Sequence, residues 1–164
     1  MCDDRMLEII EEQERVLRFG SVSVEKLSAI GEAIVSAIKA KGAFAYVMIR
    51  VNGLEVFSQA IAGASGNNRK WAERKANTAE LNQKSSMRVA IENRKKNRGL
   101  AEIGLPFTDY ALEGGAFPIL LSSGLGIGSI AVSGMPSEED HQTICSVLST
   151  FLDVDAPSIT EEGK

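Results

Sequence analysis

The sequence is poor in the residues that form metal clusters, disulfide frameworks and membrane spans. Its 164 residues include one histidine and two cysteines, too few for a disulfide framework or a typical structural zinc site, and this usage fits a reducing compartment. The longest apolar-rich stretches run about ten residues, whereas a transmembrane helix needs about 20. The acidic N-terminal segment also lacks the apolar stretch of a signal peptide. We therefore expect a cytoplasmic protein without membrane contact.

Positive charge is scarce overall but concentrated in one part of the chain. There are 18 Lys and Arg against 22 Asp and Glu, a net charge of −4, yet residues 69–98 hold ten Lys or Arg and three Glu. A single aromatic residue, Trp71, lies among these cations, and the chain as a whole is acidic, so we expect no nucleic-acid partner. The basic stretch is instead predicted to be solvated or to form salt bridges with the acidic remainder of the same or a neighbouring subunit.

Hydrophobic spacing predicts four helices and four strands. The turn signal Asn52-Gly53 joins two β-rich segments as a hairpin, and long helices separate this hairpin from a second one. The predicted fold class is therefore α+β, with helices packed on a central antiparallel sheet. The predicted order is α-α-β-β-α-β-β-α, with helices at 4–18, 23–40, 68–96 and 137–152 and strands at 43–51, 54–60, 117–121 and 126–134. We expect a single domain over residues 1–164, with a core at about 4–152 and a mobile tail at 153–164.

The predicted helix at 68–96 is unusual because its apolar face is thin and made of small residues. Polar residues such as Asn77 and Thr78 lie close to that face. Such a helix can approach its neighbours closely, and the polar groups that it buries then need hydrogen-bond partners. The small residues of the face are Ala72, Ala76, Ala79 and Ala90.

His141 is the one imidazole in the chain, and the carboxylates of residues 138–140 directly precede it. Carboxylates stabilise the first turn of a helix, and Ser137 with Asp140 resembles a capping box, so the segment is a good helix start without a further role. The alternative is that Asp140 or Glu113 orients His141 for acid–base or metal chemistry. The residues leave both interpretations open.

Three segments together resemble the motifs of a known family. They are NNRKWAERKANTAELNQKSS at 67–86, YALEGGAFPI at 110–119 and GSIAVSGMPSEEDH at 128–141. In this order they are similar to motifs of a branch of small uncharacterised proteins in the GlcG/HbpS-like, or haem-degrading-domain, superfamily, and the resemblance covers roughly residues 4–152. It implies a profilin-like α+β fold and homo-oligomers, either dimers or higher assemblies. It also implies relatives that bind haem or corrinoid compounds.

One residue departs from this resemblance. The second motif usually reads Tyr-Ala-x-His-Gly-Gly-x-Phe-Pro, and this chain has Glu113 in place of the histidine. Haem iron takes His, Cys, Met or Tyr as its axial ligand, so His141 and Tyr110 are among the remaining options. The exchange disfavours haem and favours a hard cation or a cationic ligand. Haem and a divalent metal ion both stay candidate cofactors.

From the resemblance, the first functional hypothesis is that the protein binds a small molecule. The ligand class to test is haem or another tetrapyrrole. In this hypothesis, Arg74 pairs with an anionic group such as a propionate, and Trp71 or Phe117 stacks on an apolar ring. A scaffold without a small ligand is the second hypothesis. An enzyme that uses Glu113 and the Asp140-His141 pair is the third. The pocket expected in the oligomer consists of Trp71, Arg74, Asn77, Glu113, Phe117, Ser133 and His141.

Overall fold

The computed structural model describes residues 1–160, and within them it has five helices and four strands. The predicted order of elements is confirmed, with the third helical stretch divided in two. No helix in this part of the chain is long and apolar enough to cross a membrane. The helices are α1 (Asp3–Val16), α2 (Val24–Ala40), α3 (Gly66–Asn82), α4 (Ser86–Lys95) and α5 (Ser137–Leu152), and the strands are β1 (Tyr46–Val51), β2 (Leu54–Ala60), β3 (Ala116–Leu120) and β4 (Gly126–Ser133).

The strands form one antiparallel sheet in the order β2-β1-β4-β3. Asn52 and Gly53, with φ angles of 50° and 81°, make the tight turn between β1 and β2, as the sequence predicts. β1 pairs along its length with β2 on one side and β4 on the other. The predicted fold class, α+β with helices on a central antiparallel sheet, is confirmed.

Helices cover both faces of the sheet, which gives the protein three layers. On one face, α2 and α5 pack on fully buried strand residues such as Ile49, Phe117 and Ile130, and this is the main hydrophobic core. On the opposite face, the alanine stripe of α3 packs against Met48 and Ala131. Small side chains therefore fill the second layer, as the composition of this helix predicts. The stripe consists of Ala72, Ala76 and Ala79.

The prediction of a single helix at 68–96 is wrong in one respect, because the helix is interrupted between α3 and α4. Gln83 adopts a left-handed conformation with a φ of 50°. Its side-chain Oε1 accepts a hydrogen bond from the backbone N–H of Gly126 at 3.2 Å. Ser85 then caps α4 by accepting a hydrogen bond from the Arg88 backbone N–H at 3.1 Å. The break contains neither proline nor glycine, so composition alone did not reveal it.

The chain remains packed beyond the core predicted to end at residue 152. Ile159 is 5% exposed and joins a small apolar cluster between α1 and α4, together with Ile10 and Ile91. Its backbone N–H donates to Gln142 Oε1 at 3.0 Å. The packed part of the chain thus reaches at least Ile159, whereas residues 161–164 of the predicted tail lie outside the described residues.

The basic stretch is paired with the acidic first helix of the same chain. Arg94 contacts Asp3 at 2.6 Å, and Arg88 contacts Glu14 at 2.7 Å. These pairs join α4 to α1, which are far apart in sequence. The prediction that the cations of 69–98 form salt bridges with the acidic remainder of the same chain is confirmed for these residues. The other pairs between the two helices are Arg88–Glu11 and Lys95–Asp4.

Candidate functional site

The seven residues predicted to form one pocket lie in separate places within a single chain. Trp71, Arg74 and Asn77 are half-buried on α3, and Arg74 and Asn77 donate hydrogen bonds to the loop before β3. Phe117 and His141 are fully buried and contact each other edge to face, with ring centroids 5.9 Å apart. The remaining two are Ser133, which is 4% exposed at the end of β4, and Glu113, which is exposed.

Polar side chains of α3 hold the loop that precedes β3. Arg74 Nε donates to the carbonyl oxygen of Tyr110 at 3.1 Å, and Asn77 Nδ2 donates to that of Asp109 at 2.7 Å. Thr78 Oγ1 donates to the Ala111 carbonyl at 2.8 Å and accepts from the Ala111 N–H at 3.1 Å. The polar groups of this helix therefore find the partners that burial demands, and they find them within the same chain.

Asn77 also belongs to a polar cluster at the sheet. Arg50 of β1 donates two hydrogen bonds to Glu80, each of 2.8 Å, and a third to Asn77 Oδ1 at 2.6 Å. Ser129 of β4 donates to the same Glu80 carboxylate at 2.8 Å. Both polar atoms of the Asn77 amide are thus engaged in holding the fold. The Arg50–Glu80 pair has no sequence signal, because its members lie in different elements.

Trp71 and Arg74 form a stacked pair at an open cavity. The Arg74 guanidinium lies 4.2 Å from the centroid of the Trp71 ring, a cation–π distance. The neighbouring cavity has a volume of about 360 Å³, and Lys70, Asn77 and Phe107 are among the residues that line it. Phe107 is 71% exposed. Glu73 and Asp109 also line the cavity. The fixed Arg74 guanidinium, the exposed Lys70 and the exposed Phe107 ring together suit a planar ligand that carries carboxylates.

Lys75 and Asp140 form a buried ion pair that joins α3 to the start of α5. Lys75 Nζ lies 3.0 Å from Asp140 Oδ2 and donates to the Val132 carbonyl at 3.2 Å. The Asp140 carboxylate also accepts backbone N–H bonds from Met135 at 3.1 Å and Gly134 at 3.4 Å. Burial raises the pKa of Asp140, while Lys75 and the backbone donors act against that rise.

The capping box predicted at the start of α5 is wrong. The N-cap is Pro136, and Ser137 makes no capping hydrogen bond. Ser137 Oγ instead donates to Glu113 Oε2 at 2.6 Å. Asp140 is turned inward to Lys75, because an ion pair and two backbone donors satisfy its carboxylate more fully than one cap would.

Gly115 makes room for the buried ion pair. Its φ of +125° belongs to the range that favours glycine, and a side chain there would place Cβ 2.5 Å from the Val132 carbonyl oxygen. The same Cβ would lie 2.9 Å from Lys75 Nζ and 3.0 Å from Asp140 Cβ. Gly115 of the second motif thus leaves the space in which Lys75 of the first motif and Asp140 of the third motif come into contact.

His141 is a buried neutral residue whose hydrogen-bonding neighbours are Gln13 and Cys145, and neither Asp140 nor Glu113 is among them. Its Nε2 lies 2.8 Å from Gln13 Oε1 and 3.4 Å from Cys145 Sγ. Its Nδ1 has no hydrogen-bond partner among residues 1–160. Burial lowers the pKa of His141 to about 4. The imidazole therefore carries no charge at neutral pH.

The carboxylates and the imidazole do not gather into a metal centre. Within residues 1–160, no group of three or more His, Cys, Asp or Glu is placed to hold a metal ion. Among the described residues, the candidates Glu113, Asp140 and His141 do not form such a group. Asp140 faces Lys75, His141 faces Gln13 and Glu113 faces Ser137, since each side chain has found a partner of its own.

By its fold, the protein is a small three-layer α+β protein. Its three motifs meet where the polar helix α3, the glycine pair Gly114-Gly115 and the buried Asp140 are in contact. Residues 22–149 match the model of a family described as haem degrading protein HbpS-like. This chain belongs to that HbpS-like family, and the resemblance of its motifs is confirmed.

Relatives and solved structures agree with this assignment. A UPF0303 protein of Azotobacter vinelandii is 36% identical over 92% of this chain and 91% of its own length. A UPF0303 protein of Paraburkholderia xenovorans is 34% identical, with 89% of each chain covered. The crystal structure of the Ybr137w protein has a TM-score of 0.83 at 24% identity, covering 91% of this chain and 89% of that chain. The crystal structure of a PduOC–heme complex has a TM-score of 0.67 at 18% identity, covering 83% of this chain and 98% of that chain. At these identities the two structures show a shared fold.

Proposed function

We propose that this protein binds a planar, anionic small molecule of the tetrapyrrole class on the α3 surface, which we define as Lys70, Trp71, Arg74 and Phe107. The observation that carries the proposal is the Arg74 guanidinium stacked 4.2 Å from the Trp71 ring beside an open cavity. The HbpS-like family and the heme named in the PduOC structure support the ligand class.

Arg74 is held ready for an anionic group. Its Nε donates to the Tyr110 carbonyl and its Cζ lies 4.2 Å from the centroid of the Trp71 ring, whereas its terminal nitrogens have no hydrogen-bond partner among residues 1–160. A guanidinium fixed in this way loses little conformational freedom when it pairs with a carboxylate. Lys70, one turn earlier in α3 and exposed, adds a second positive charge, and Phe107 adds an apolar ring contact.

Haem itself fits this surface only in part. The carboxylates and the ring of a porphyrin suit Arg74, Lys70 and Phe107, but none of these residues is a usual axial ligand of haem iron. His141 is fully buried with its Nε2 on Gln13, and Glu113 stands where the motif usually has histidine. The proposed binding therefore rests on charge and stacking, without an iron–protein bond.

Self-association in the cytoplasm is part of the proposal. Leu54, Leu81 and Leu125 are 64%, 56% and 57% exposed, on elements that meet at one end of the sheet. A contiguous patch of exposed apolar side chains is typical of surfaces that other proteins cover, and we propose that these three leucines form one. A homo-oligomer formed there should dissociate in Leu81→Ser, which light scattering measures. An unchanged mass in that variant contradicts the use of this surface.

The test of ligand binding is a titration of the purified protein with hemin, followed by absorbance. We expect a saturable shift of the Soret band, weakened in Lys70→Gln and in Arg74→Lys, since each variant loses charge or stacking. Lys39→Gln, an exposed lysine on α2, is the matched control and should bind like the natural protein. A natural protein that gives no saturable shift, or one whose shift is the same in all three variants, overturns the proposal.

A further inference from the structure

Two segments outside the part of the chain that matches the family model close over His141. The match covers residues 22–149, whereas α1 precedes it and residues 150–160 follow it. From α1, Gln13 places its Oε1 2.8 Å from His141 Nε2. The Nε2 of the same Gln13 side chain donates to the Pro157 carbonyl at 2.7 Å and to Gln142 Oε1 at 3.1 Å. Gln13 thus contacts the imidazole directly, and Pro157 holds that Gln13 side chain in place, while Phe117 packs on the ring from the sheet.

The contact between α1 and the rest of the protein combines ion pairs with a small apolar cluster that is separate from the main core. Four ion pairs join α1 to α4, and several of their side chains are partly exposed. The inner face of α1 carries two buried polar residues, Gln13 and Glu14, beside a small apolar cluster. Exposed ion pairs contribute little to stability, and regions with few buried apolar contacts open at a lower free energy than the core.

The chain directly behind α1 is fixed. α1 ends at Val16, and Leu17 and Phe19 are fully buried in the main core. The Phe19 N–H donates to the Leu120 carbonyl at 2.8 Å, and its carbonyl accepts from the Ser122 N–H at 2.9 Å. α1 can therefore separate from α4 while the sheet and its core stay intact.

The covered residues are an imidazole and a thiol on one turn of α5. His141 Nε2 and Cys145 Sγ lie 3.4 Å apart, and both side chains are at most 1% exposed. His141 Nδ1 is buried without a partner among residues 1–160, and such an atom calls for an explanation. Imidazole and thiolate are the donor pair preferred by thiophilic ions such as Zn²⁺.

We propose that α1 is a movable cover and that its opening exposes His141 and Cys145 as a two-residue site for a thiophilic metal ion. When the ion binds, the Cys145 thiol releases its proton to solvent as the metal–sulfur bond forms, and His141 gives up its hydrogen bond to Gln13. Solvent completes the coordination of the ion. The α3 surface shares no residue with this site, so the hemin titration and the test below fail or succeed separately.

The test uses the rate at which a thiol reagent labels Cys145 in a protein with Cys2→Ser, which leaves one cysteine. Arg94→Gln with Lys95→Gln removes two ion pairs to α1, and we expect labelling to become roughly threefold to tenfold faster. Lys96→Gln with Arg98→Gln removes the same charge from the same segment at exposed positions without ion pairs among residues 1–160, and we expect no acceleration. Zn²⁺ should then slow the labelling of the opened variant, whereas Mg²⁺ should not.

Each result decides one part of the proposal. Equal labelling rates in the two double variants overturn the cover. Faster labelling that Zn²⁺ leaves unchanged overturns the metal site. Urea unfolding of each variant separates local from global opening, because labelling through global unfolding follows the free energy of unfolding. In the Cys2→Ser protein without further changes, higher salt concentration should also accelerate labelling, since salt screens the ion pairs.

Discussion

Lys75 and Asp140, 65 residues apart in the chain, meet at 3.0 Å inside the protein and join α3 to the start of α5. Both side chains are almost fully buried. This contact brings the first and third sequence motifs together, and Gly115 of the second motif leaves the space for it. The three motifs therefore meet at one buried junction.

Breaking this pair on one side should be costly. Asp140→Asn keeps only one acceptor oxygen for the two backbone N–H groups and leaves the Lys75 ammonium buried without a counter-charge, so we expect to lose about 3–5 kcal/mol of unfolding free energy. Lys75→Met combined with Asp140→Asn should recover part of that loss, because the buried charge is gone. Urea unfolding measures both. A double variant that is less stable than Asp140→Asn contradicts this account of the junction.

Gly115→Ala should be strongly destabilising, because the new Cβ would meet the Val132 carbonyl oxygen at 2.5 Å and the φ of +125° is strained for alanine. Gly66→Ala is the matched control. Gly66 starts α3, and a Cβ there meets nothing within 4 Å. Thermal unfolding should show a clear decrease in Tm for the first variant and little change for the second. Equal effects would mean that Gly115 is not needed for close packing.

Thr78→Val should loosen the loop before β3. The change keeps the shape of the side chain and removes the hydroxyl that binds both the carbonyl and the N–H of Ala111. Two buried backbone groups then lose their partner, which costs about 1–3 kcal/mol. Limited proteolysis should cut the loop faster in this variant. Thr108→Val, at an exposed position of the same loop, should leave both stability and proteolysis unchanged. A similar effect from both changes would argue against a role of the Thr78 hydroxyl in holding the loop.

His141 should make stability depend on pH below neutrality. Its pKa is about 4 in the folded protein against 6.5 for an ordinary histidine, so the unfolded chain takes up the proton first as the pH falls. The stabilisation is complete above about pH 6.5 and is lost progressively towards about pH 4, by about 3 kcal/mol in total. Urea unfolding across this range should show a steeper loss in the natural protein than in His141→Gln. Parallel curves would contradict the assignment.

Much of the secondary structure follows from local signals. Asn52-Gly53 adopts the left-handed conformations that a tight hairpin needs, and both of its residues tolerate them regardless of context. The alanines of α3 predict a helix that approaches its neighbours closely, and they pack against Met48, Ala116 and Ala131 of the sheet. The break at Gln83 had no such signal, because a left-handed glutamine is stabilised by its contact with Gly126 in a distant turn.

The candidate site was less predictable than the fold. Trp71 and Arg74, three residues apart in one helix, could be placed together from the sequence, and they do form a stacked pair. The role of Lys75 could not be predicted, since a lysine beside an arginine on a basic helix is usually solvated. His141 carried no sign that Gln13, 128 residues away, would cover it.

The amino-acid sequence by itself determined the order of the elements, the antiparallel hairpins and the family, because periodicity, turn residues and motifs act over short distances along the chain. Only the tertiary structure decided which polar residues are buried. Burial of Lys75, Asp140 and His141 depends on partners supplied by distant segments. A charged side chain or an imidazole is buried at an acceptable cost in free energy only if a hydrogen-bond or ion-pair partner is present. Some residues that the sequence suggested for a pocket, such as His141, are therefore buried and hold the fold together. The terminal nitrogens of Arg74 have no hydrogen-bond partner among residues 1–160 and are available to a ligand.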